Sequence, residues 1–315
     1  MNDRYFLFGA GYSALAFARL LGEAPASGAA SEAAVSGTTR SAERFPVLEA
    51  AGVEPLLFDG ATLSGAVRER LASATHLVVS TAPAGGRDPV LGAAADTIRR
   101  EMPALRWIGY LSTVGVYGDH GGAWVDEEST CRPVSLRSRE RLDAERAWQA
   151  LGAERGVPVA VLRLSGIYGP GRNALANLAA GTARRLVKPG QVFNRIHVDD
   201  IAGALRHLAA RQLGGVFNVT DDLPTPPQDV VLFAAGLMGV APPPEIPFET
   251  AQLSPMARSF YEENKRVANR RLGATGFVLR HPDYRSALTA MWEAGTWRGG
   301  GRRDGVRPGG ALGSG

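Results

Sequence analysis

The sequence is poor in cysteine, lysine and long apolar runs, and these shortages exclude several classes of protein. Its 315 residues include one cysteine, Cys131, so no disulfide can form within the chain. The five histidines are scattered and no Cys/His cluster has zinc-ligand spacing, so we predict no metal. No run approaches the roughly 20 apolar residues of a membrane-spanning helix, so we predict no membrane partner.

The net positive charge of the chain is smaller than its isoelectric point of about 9.5 implies. The formal net charge is only +4, and segment 298–315 supplies +3 of it through four arginines against Asp304. Because the remaining body carries about +1, it lacks the basic face of a nucleic-acid-binding protein. We therefore predict no nucleic-acid partner, and we predict that the Gly- and Arg-rich tail over 298–315 is disordered.

The amino terminus loosely imitates a secretory signal peptide, because Arg4 precedes an apolar stretch over 5–18. Gly9 and Gly11 interrupt that stretch, however, and Arg19 stands where a signal should remain uncharged. The pattern fits a buried strand, a glycine turn and a helix better than a signal. We therefore predict a cytoplasmic protein.

Short apolar runs alternate with helix-like segments through the first half of the chain. This alternation is typical of a parallel sheet that is covered by helices on both faces. The predicted strands are 5–8, 34–39, 53–58, 76–80, 106–111 and 157–162. The predicted helices are 12–22, 41–51, 62–73, 90–101 and 135–155.

The pattern becomes irregular after residue 166, with a predicted helix over 174–186 and a short strand over 192–197. We therefore predict an α/β fold, a Rossmann-type doubly wound parallel sheet with a smaller C-terminal substrate lobe. The predicted division of the chain has four parts. A dinucleotide-binding domain spans 1–165 with 191–219 returning to the sheet, the lobe comprises 166–190 and 220–297, and the tail is 298–315.

A glycine motif at the end of the first predicted strand carries the strongest functional signal. Gly9 and Gly11 begin a G-x-G-x-x-A pattern between a strand and a helix, as dinucleotide binding requires. Gly9 permits a tight turn, Gly11 lets a pyrophosphate approach the backbone, and Ala14 lets the helix pack closely. Tyr12 and Ser13 begin the helix, where unpaired N–H groups bind phosphates.

The end of the second predicted strand indicates which dinucleotide is bound. Arg40 and Ser41 stand where an NAD site usually has an acidic residue, and Arg44 follows one turn later. A guanidinium matches a 2′-phosphate, so we predict NADP as the cofactor, although both arginines could simply be solvated. Asp59 could contact the adenine or cap a helix near residue 62. Thr81, after the fourth strand, is a further candidate contact.

Five segments together resemble the extended short-chain dehydrogenases/reductases of the NAD(P)-dependent epimerase/dehydratase type. They occur in the order and spacing of that family and cover roughly residues 4–295. The segments are Gly9–Ala14, Leu111–Gly118, Arg163–Gly171, Arg195–Ala202 and Phe217–Val219.

The resemblance implies a catalytic constellation, from which this chain departs. Thr113 matches the Ser/Thr that positions the substrate oxygen, and Ser165 matches backbone bordering the nicotinamide. Anchoring on Glu145 places Arg137 at the position of the family's acid/base tyrosine and Arg141 at that of its lysine. Arg141 can keep a cationic role, but a guanidinium cannot exchange a proton as a phenol does. The chain is thus most similar to atypical members that lack the Tyr-x-x-x-Lys pair.

Three interpretations of the site remain open. In the first, an NADP(H)-binding oxidoreductase or epimerase-type enzyme acts on a sugar-like or carboxylated metabolite, and Arg137 binds an anionic substrate. In the second, the protein binds NADP(H) without turnover, as a sensor or scaffold. In the third, Arg137 and Arg141 are a solvated helical face and the site lies elsewhere. A homodimer is a possible assembly of the chain.

Four further residues receive expectations from their sequence context. Tyr117 and His197 are predicted to be structural, with an aspartate after His197 capping the next helix. His120 lies in a Gly-rich loop, and Arg172 follows a Gly-Pro-Gly turn. Either of these two could face the ligands or water.

Overall fold

Alternating buried strands and amphipathic helices form most of the protein in the computed structural model, which describes residues 2–23 and 33–299. The central strands are β1 (Arg4–Phe8), β2 (Ala34–Thr39), β3 (Glu54–Leu57), β4 (His76–Val79), β5 (Trp107–Thr113), β7 (Val159–Leu164) and β11 (Gly215–Val219). The short strands are β6 (Trp124–Val125), β8 (Gly166–Tyr168), β9 (Arg185–Val187), β10 (Arg195–His197), β12 (Glu245–Pro247) and β13 (Arg266–Val267).

The helices belong partly to the layers beside the sheet and partly to the C-terminal half. The first group is α1 (Tyr12–Gly22), α2 (Phe45–Glu49), α3 (Gly65–Ser73), α4 (Pro89–Arg100), α5 (Leu136–Arg155) and α7 (Val198–Ala210). The second group is α6 (Ala174–Ala179), α8 (Pro227–Met238), α9 (Pro255–Ser259), α10 (Arg270–Ala274) and α11 (Tyr284–Glu293). None of the described helices combines the length and hydropathy that crossing a membrane requires.

The central sheet has seven parallel strands in the order β11-β7-β5-β4-β1-β2-β3. The chain begins at β1, runs outward to β3, and then returns across β1 to build the other half of the sheet. This reversal confirms the predicted Rossmann-type doubly wound α/β fold. It also opens a crevice at the carboxyl ends of β1 and β4, where folds of this type bind ligands.

One hydrophobic core lies on each face of the sheet. Phe17 of α1 and Leu205 of α7 belong to the first core, whereas Val67, Ile98 and Trp148 of α3, α4 and α5 belong to the second. All five side chains are fully buried. Because both faces are covered, the strands can be apolar on both sides.

A third core holds α6, α8 and α11 together in the C-terminal half. Its members include Leu175, Ala234 and Leu288, which are fully buried. These helices form the lobe beside the sheet, while the boundaries of the two domains stay a prediction.

Two predicted elements of the C-terminal half differ from the structure. The helix predicted over 174–186 ends at Ala179, because Gly181 has a φ of +68° and the Thr182 N–H bonds back to the Asn177 carbonyl. Such a left-handed turn terminates a helix. Of the segment predicted to return to the sheet, only β11 does so, since β10 pairs with β8 in a separate two-stranded sheet.

The predicted disordered tail begins with two residues that the structure describes. Arg298 stacks over the Trp297 ring at 3.8 Å, and the Gly299 N–H donates to the Thr296 carbonyl. Residues 298 and 299 are exposed but make these local contacts, while the rest of the predicted disordered tail stays a prediction. The remaining predicted tail, 300–315, lies outside the described residues.

Candidate functional site

The turn between β1 and α1 has the geometry that its glycines predict. Gly9 has a φ of +81°, and a Cβ there would lie 2.7 Å from the Thr81 Oγ1 atom. Its N–H donates to the Thr38 hydroxyl at 2.9 Å. Only glycine combines this backbone conformation with so close an approach to the end of β4.

The first turn of α1 is open toward the crevice. Gly11 is the N-cap and no side chain caps the helix, so the first N–H groups remain available to a ligand. A Cβ on Gly11 would meet only the Gly9 carbonyl, at 3.9 Å. Ala14 is fully buried against the sheet, as a close helix–strand contact requires. This uncapped, unobstructed turn fits a dinucleotide phosphate.

Two guanidinium groups follow β2 beside this turn. Arg44 donates an N–H from Nη2 to the Ala10 carbonyl at 3.3 Å, so its side chain reaches the glycine turn. Arg40 is exposed and has no hydrogen-bond or ion-pair partner among the described residues. The Ser41 hydroxyl instead accepts the Glu43 N–H and caps a short 3₁₀ turn. The residue directly after β2 is thus cationic rather than acidic, and a second guanidinium reaches the glycine turn.

Asp59 follows β3 and supports a local turn. Its Oδ1 atom accepts the N–H groups of Ala61 at 2.8 Å and Thr62 at 3.3 Å, and these bonds lower the pKa of the carboxyl. Helix α3 begins only at residue 65 and is capped by Ser64. The interpretation of Asp59 as a helix cap is therefore wrong, while a contact with adenine stays a prediction.

A cleft of about 960 Å³ separates the carboxyl edge of the sheet from the lobe. Five predicted site residues line it, whereas the other predicted residues lie outside it. The lining residues are Ser13, Thr113, Arg137, Arg141 and Ser165. The predicted residues outside it are Gly9, Gly11, Tyr12, Ala14, Arg40, Ser41, Asp59 and Thr81.

Two hydroxyl groups flank Gly115 at the wall of the cleft. The Thr113 hydroxyl accepts the Gly115 N–H at 3.1 Å, and the Ser138 hydroxyl accepts a hydrogen bond from Ser135 at 2.9 Å. A Cβ on Gly115 would lie 2.9 Å from the Ser138 Oγ and 3.4 Å from the Thr113 Oγ1. The Thr113 hydroxyl proton has no acceptor among the described residues, and the Ser138 proton can rotate between the Ser135 oxygen and the cleft. Both hydroxyls can therefore donate to a ligand.

Ser138 is a candidate that the sequence interpretation missed. It lies on the buried face of α5 together with Leu142 and Glu145. This spacing follows the helical period, which was the available signal. The family resemblance instead places the position of the acid/base tyrosine at Arg137, one residue before Ser138.

Arg137 and Arg141 both reach the cleft from α5 but have different surroundings. Arg141 donates an N–H from Nη1 to the Leu111 carbonyl at 2.5 Å, and its guanidinium lies 5.7 Å from the centre of the Tyr110 ring. Arg137 is exposed and has no hydrogen-bond or ion-pair partner in 2–23 or 33–299. Arg141 is thus held against β5, whereas Arg137 is free to meet an anion.

A buried ion pair anchors α5 to the sheet behind these residues. Arg163 of β7 donates to both carboxylate oxygens of Glu145, at 2.8 and 3.2 Å, and the Ser112 hydroxyl also donates to Glu145. The two charged side chains are only 6% and 2% exposed. The Arg163 guanidinium stacks over Tyr117, whose hydroxyl donates to Asn218 at 2.7 Å.

Burial raises the pKa of Tyr117 to about 12. With its hydroxyl bonded to Asn218 and its ring enclosed, Tyr117 is structural, as its sequence context predicts. His120 does not line the cleft, and its Nε2 atom is 3.1 Å from the Tyr117 carbonyl oxygen.

The loop after β8 joins the glycine turn to the lobe. The Tyr12 hydroxyl donates to the Pro170 carbonyl at 3.0 Å, and burial raises the pKa of Tyr12 to about 12. Arg172 lines the cleft from this loop. Ser165, at the end of β7, donates its hydroxyl to the Val219 carbonyl at 3.4 Å and leaves its backbone at the cleft wall.

His197 is the N-cap of α7. It is structural, as predicted, but it caps the helix itself in place of the predicted aspartate. Its Nδ1 atom accepts the Asp199 N–H at 3.2 Å, so the imidazole rather than an aspartate caps the helix. Asp200 instead accepts the N–H groups of Arg280 and His281. Burial lowers the pKa of His197 to about 4, which keeps the ring neutral. Potential metal-ligand atoms of His197, Asp199 and His281 lie within 4.8 Å of one another. The capping hydrogen bond uses the lone pair of the His197 Nδ1 atom, which is therefore not available to a metal ion.

The fold and the site geometry define an NAD(P)-binding protein of the epimerase/dehydratase class. The sequence model of the NAD dependent epimerase/dehydratase family matches residues 90–220. The chain belongs to this family.

The similar proteins include a relative that matches over nearly the whole length of both chains. A functionally unknown conserved protein from Silicibacter pomeroyi DSS is 46% identical, with a TM-score of 0.84 over 94% of this chain and 99% of that chain. Protein YeeZ of Escherichia coli K12 is 33% identical over 138 residues, which are 42% of this chain and 47% of YeeZ. The matched stretch thus spans about half the length of this curated relative.

Two more distant structures share the fold and contain dinucleotides. Human epimerase family protein SDR39U1, solved with NADPH, is 19% identical with a TM-score of 0.66 over 92% of this chain and 99% of that chain. A dTDP-glucose 4,6-dehydratase from Bacillus anthracis, solved with NAD, is 16% identical with a TM-score of 0.73 over 94% and 96% of the two chains. At these identities the similarity concerns the fold alone.

Proposed function

We propose that the protein is an NADP(H)-binding oxidoreductase or epimerase-type enzyme that acts on a sugar-like or carboxylated small metabolite. One observation carries the proposal: the first turn of α1 is uncapped, the Arg44 guanidinium reaches the glycine turn before it, and the exposed Arg40 follows β2 nearby in the chain. A helix start of this kind binds a diphosphate, and arginine matches a 2′-phosphate. The cytoplasmic location and the homodimer predicted from the sequence belong to the same proposal.

The cofactor would be held by residues of both the turn and the cleft. The N–H groups after Gly11 would bind its diphosphate, and Arg40 and Arg44 its 2′-phosphate. Ser13 and Ser165 line the cleft, where the nicotinamide half would lie. When bound, NADPH supplies a hydride and NADP⁺ accepts one.

The chain's own residues would bind and orient the substrate. The Thr113 and Ser138 hydroxyls can both donate to a substrate oxygen, because the Thr113 proton has no other acceptor among the described residues and the Ser138 proton can rotate away from Ser135. Donors of this kind stabilise negative charge that develops on the oxygen. The exposed guanidinium of Arg137 would bind an acidic group of the substrate.

A non-catalytic NADP(H) sensor or scaffold is the second candidate. It is favoured by the guanidinium at position 137, which cannot exchange a proton near neutral pH. The buried, hydrogen-bonded phenol of Tyr117 does not replace the missing acid/base group.

Titration with nicotinamide cofactors tests the cofactor assignment. We expect NADPH to bind more tightly than NADH, and Arg40→Ala to weaken NADPH about tenfold or more, because a charge-assisted contact to phosphate is lost. NADPH fluorescence measures the affinity. Arg19→Ala, which removes an exposed arginine on α1, is the control. A preference for NADH, or no change in Arg40→Ala, would refute the assignment.

Turnover separates the enzyme from the sensor. We expect the protein with bound NADPH to oxidise it when given members of a panel of aldehydes, keto acids and sugar nucleotides, and Thr113→Val to slow this at least tenfold through loss of a donor to the substrate oxygen. Absorbance at the reduced-nicotinamide band follows the reaction. Tight NADPH binding without turnover on the whole panel would favour the sensor.

A further inference from the structure

One wall of the cleft is an apolar helix face. Pro227, Val230 and Val231 of α8 line the cleft at the i, i+3 and i+4 positions of one helical stripe. Leu288 of α11, which is only 1% exposed, packs behind this stripe. At the rim, the Phe260 side chain lines the cleft although it is 59% exposed. This wall offers a ligand contact area without hydrogen-bond donors.

The less exposed polar side chains on the lobe side of the cleft are already engaged within the protein. Asn173 donates to the Gly169 and Trp297 carbonyls and accepts the Ala176 N–H. The Asn194 amide donates to one backbone carbonyl and accepts one N–H, and Lys265 bonds to a carbonyl and to Glu263. The Arg195 guanidinium donates to two carbonyls. These groups hold loops together and have little bonding capacity left for sugar hydroxyls.

Among the arginines that line the cleft, Arg184 on the lobe side already donates to the Gln252 carbonyl, and a guanidinium that has no partner among the described residues lies on the opposite wall. Arg137 lines the cleft from the first turn of α5 and has no partner in the described part of the chain. Arg172 is also unpaired in that part of the chain, but it follows Pro170, which bonds to Tyr12 at the glycine turn. Arg172 is thus near the cofactor helix, and Arg137 is the cation that faces the substrate region.

From this distribution, and resting on the proposed function, we infer that the substrate is an amphipathic carboxylate. Its apolar body packs on the α8 face and Phe260, and its acidic group binds the Arg137 guanidinium. An apolar wall favours such a body because burial removes hydrocarbon from water. A sugar nucleotide would bring many hydroxyls to the apolar α8 face, which cannot bond them, and only exposed residues such as Asn177 and Thr182 could bond a few of them. Hydroxyls left unpaired on that face cost free energy.

Calorimetric titration of the full chain with NADP⁺ present tests the inference, using octanoate, propionate and UDP-glucose as probes. Octanoate carries both features, propionate has the acid without the body, and UDP-glucose is a polar anion. We expect saturable octanoate binding at millimolar concentrations or below, and weaker binding of the other two. Arg137→Gln should weaken octanoate about tenfold, and Phe260→Ser severalfold.

Matched controls replace exposed residues that do not line the cleft. Arg146→Gln removes another arginine of α5, and Leu136→Ser removes an apolar side chain that is 63% exposed. Both should leave octanoate binding unchanged. Because all four positions are exposed, circular dichroism should show folded protein in every case.

Three results would overturn the inference: no saturable octanoate binding, tighter binding of UDP-glucose, or equal losses in the test and control variants. NADPH titration of the same samples separates this from the cofactor proposal. Octanoate binding without NADPH binding would refute the proposed function and leave the ligand class of the cleft intact. NADPH binding together with tighter binding of UDP-glucose than of octanoate would refute the inferred ligand class and leave the proposed function intact.

Discussion

At the scale of single residues, Gly9 is required for two reasons: its positive φ and the close approach of Thr81. The motif predicts a tight turn, but the 2.7 Å approach to Thr81 depends on the neighbouring strand β4. A residue far along the chain therefore sets part of the requirement for glycine. Local pattern cannot reveal such a contact.

Replacing Gly9 with alanine should destabilise the protein more than the same change at Gly52. Gly52 has a similar φ of +74°, but a Cβ there meets no atom within 4 Å. We expect Gly52→Ala to lower the free energy of unfolding by about 1–2 kcal/mol through backbone strain, and Gly9→Ala to exceed it by at least about 1 kcal/mol. Urea denaturation measures both. Equal losses would show that Thr81 moves aside without cost.

The cleft residues show the same limit of sequence interpretation. Thr113, Arg137 and Arg141 do line one cleft, as a shared helical face and a strand end predicted. The helical period places Ser138 on the buried face of α5, but the space that Gly115 leaves beside it depends on a helix–loop contact. Which side of a helix meets a loop is a tertiary fact.

At the scale of elements, the long periodic segments were predictable and the short ones were not. Helix α5 matches its predicted span of 135–155 closely, since a serine cap begins it and Gly156 ends it. The strands of the first half were also found, because each is a buried apolar run. The helix predicted over 174–186 begins where predicted but ends seven residues early, since one turn at Gly181 outweighs the helical propensity of an alanine-rich segment.

At the scale of the whole molecule, the connection between sheet and lobe contains a buried carboxyl. Asp221 follows β11, its N–H donates to the Arg195 carbonyl at 2.7 Å, and its Oδ2 atom is buried without a partner. Burial raises the pKa of Asp221 to about 8. The folded protein therefore binds a proton that the unfolded chain has released, over the range from about pH 4 to pH 8.

This carboxyl should make stability fall as the pH rises. Because the folded state binds more protons in that range, its free energy of unfolding decreases toward pH 8 by about 1.4 kcal/mol for each unit of pKa difference at most. Asp221→Asn should remove this decline while keeping the acceptor for the Leu223 N–H. Chemical denaturation at a series of pH values measures it.

The exposed Asp143 of α5, far from Asp221 in the chain, provides the control, since Asp143→Asn should leave the decline in place. His197 acts in the opposite direction at lower pH. Its pKa of about 4 means that the unfolded chain gains a proton first as the pH falls, which destabilises the fold. An unchanged slope in Asp221→Asn would show that the carboxyl is ionised in the native state.

The Glu145–Arg163 pair fixes α5 about two turns beyond the side chain at position 137. The ion pair that anchors α5 and the side chain that α5 presents to the cleft are therefore separate residues. Position 137, exposed and without a partner among the described residues, is open to exchange while the frame stays in register. Substitutions in the first turn of α5 would therefore change the chemical groups in the cleft while the ion pair keeps the helix in place. Because binding and stability depend on different residues here, this fold can acquire new ligands by mutation at few positions.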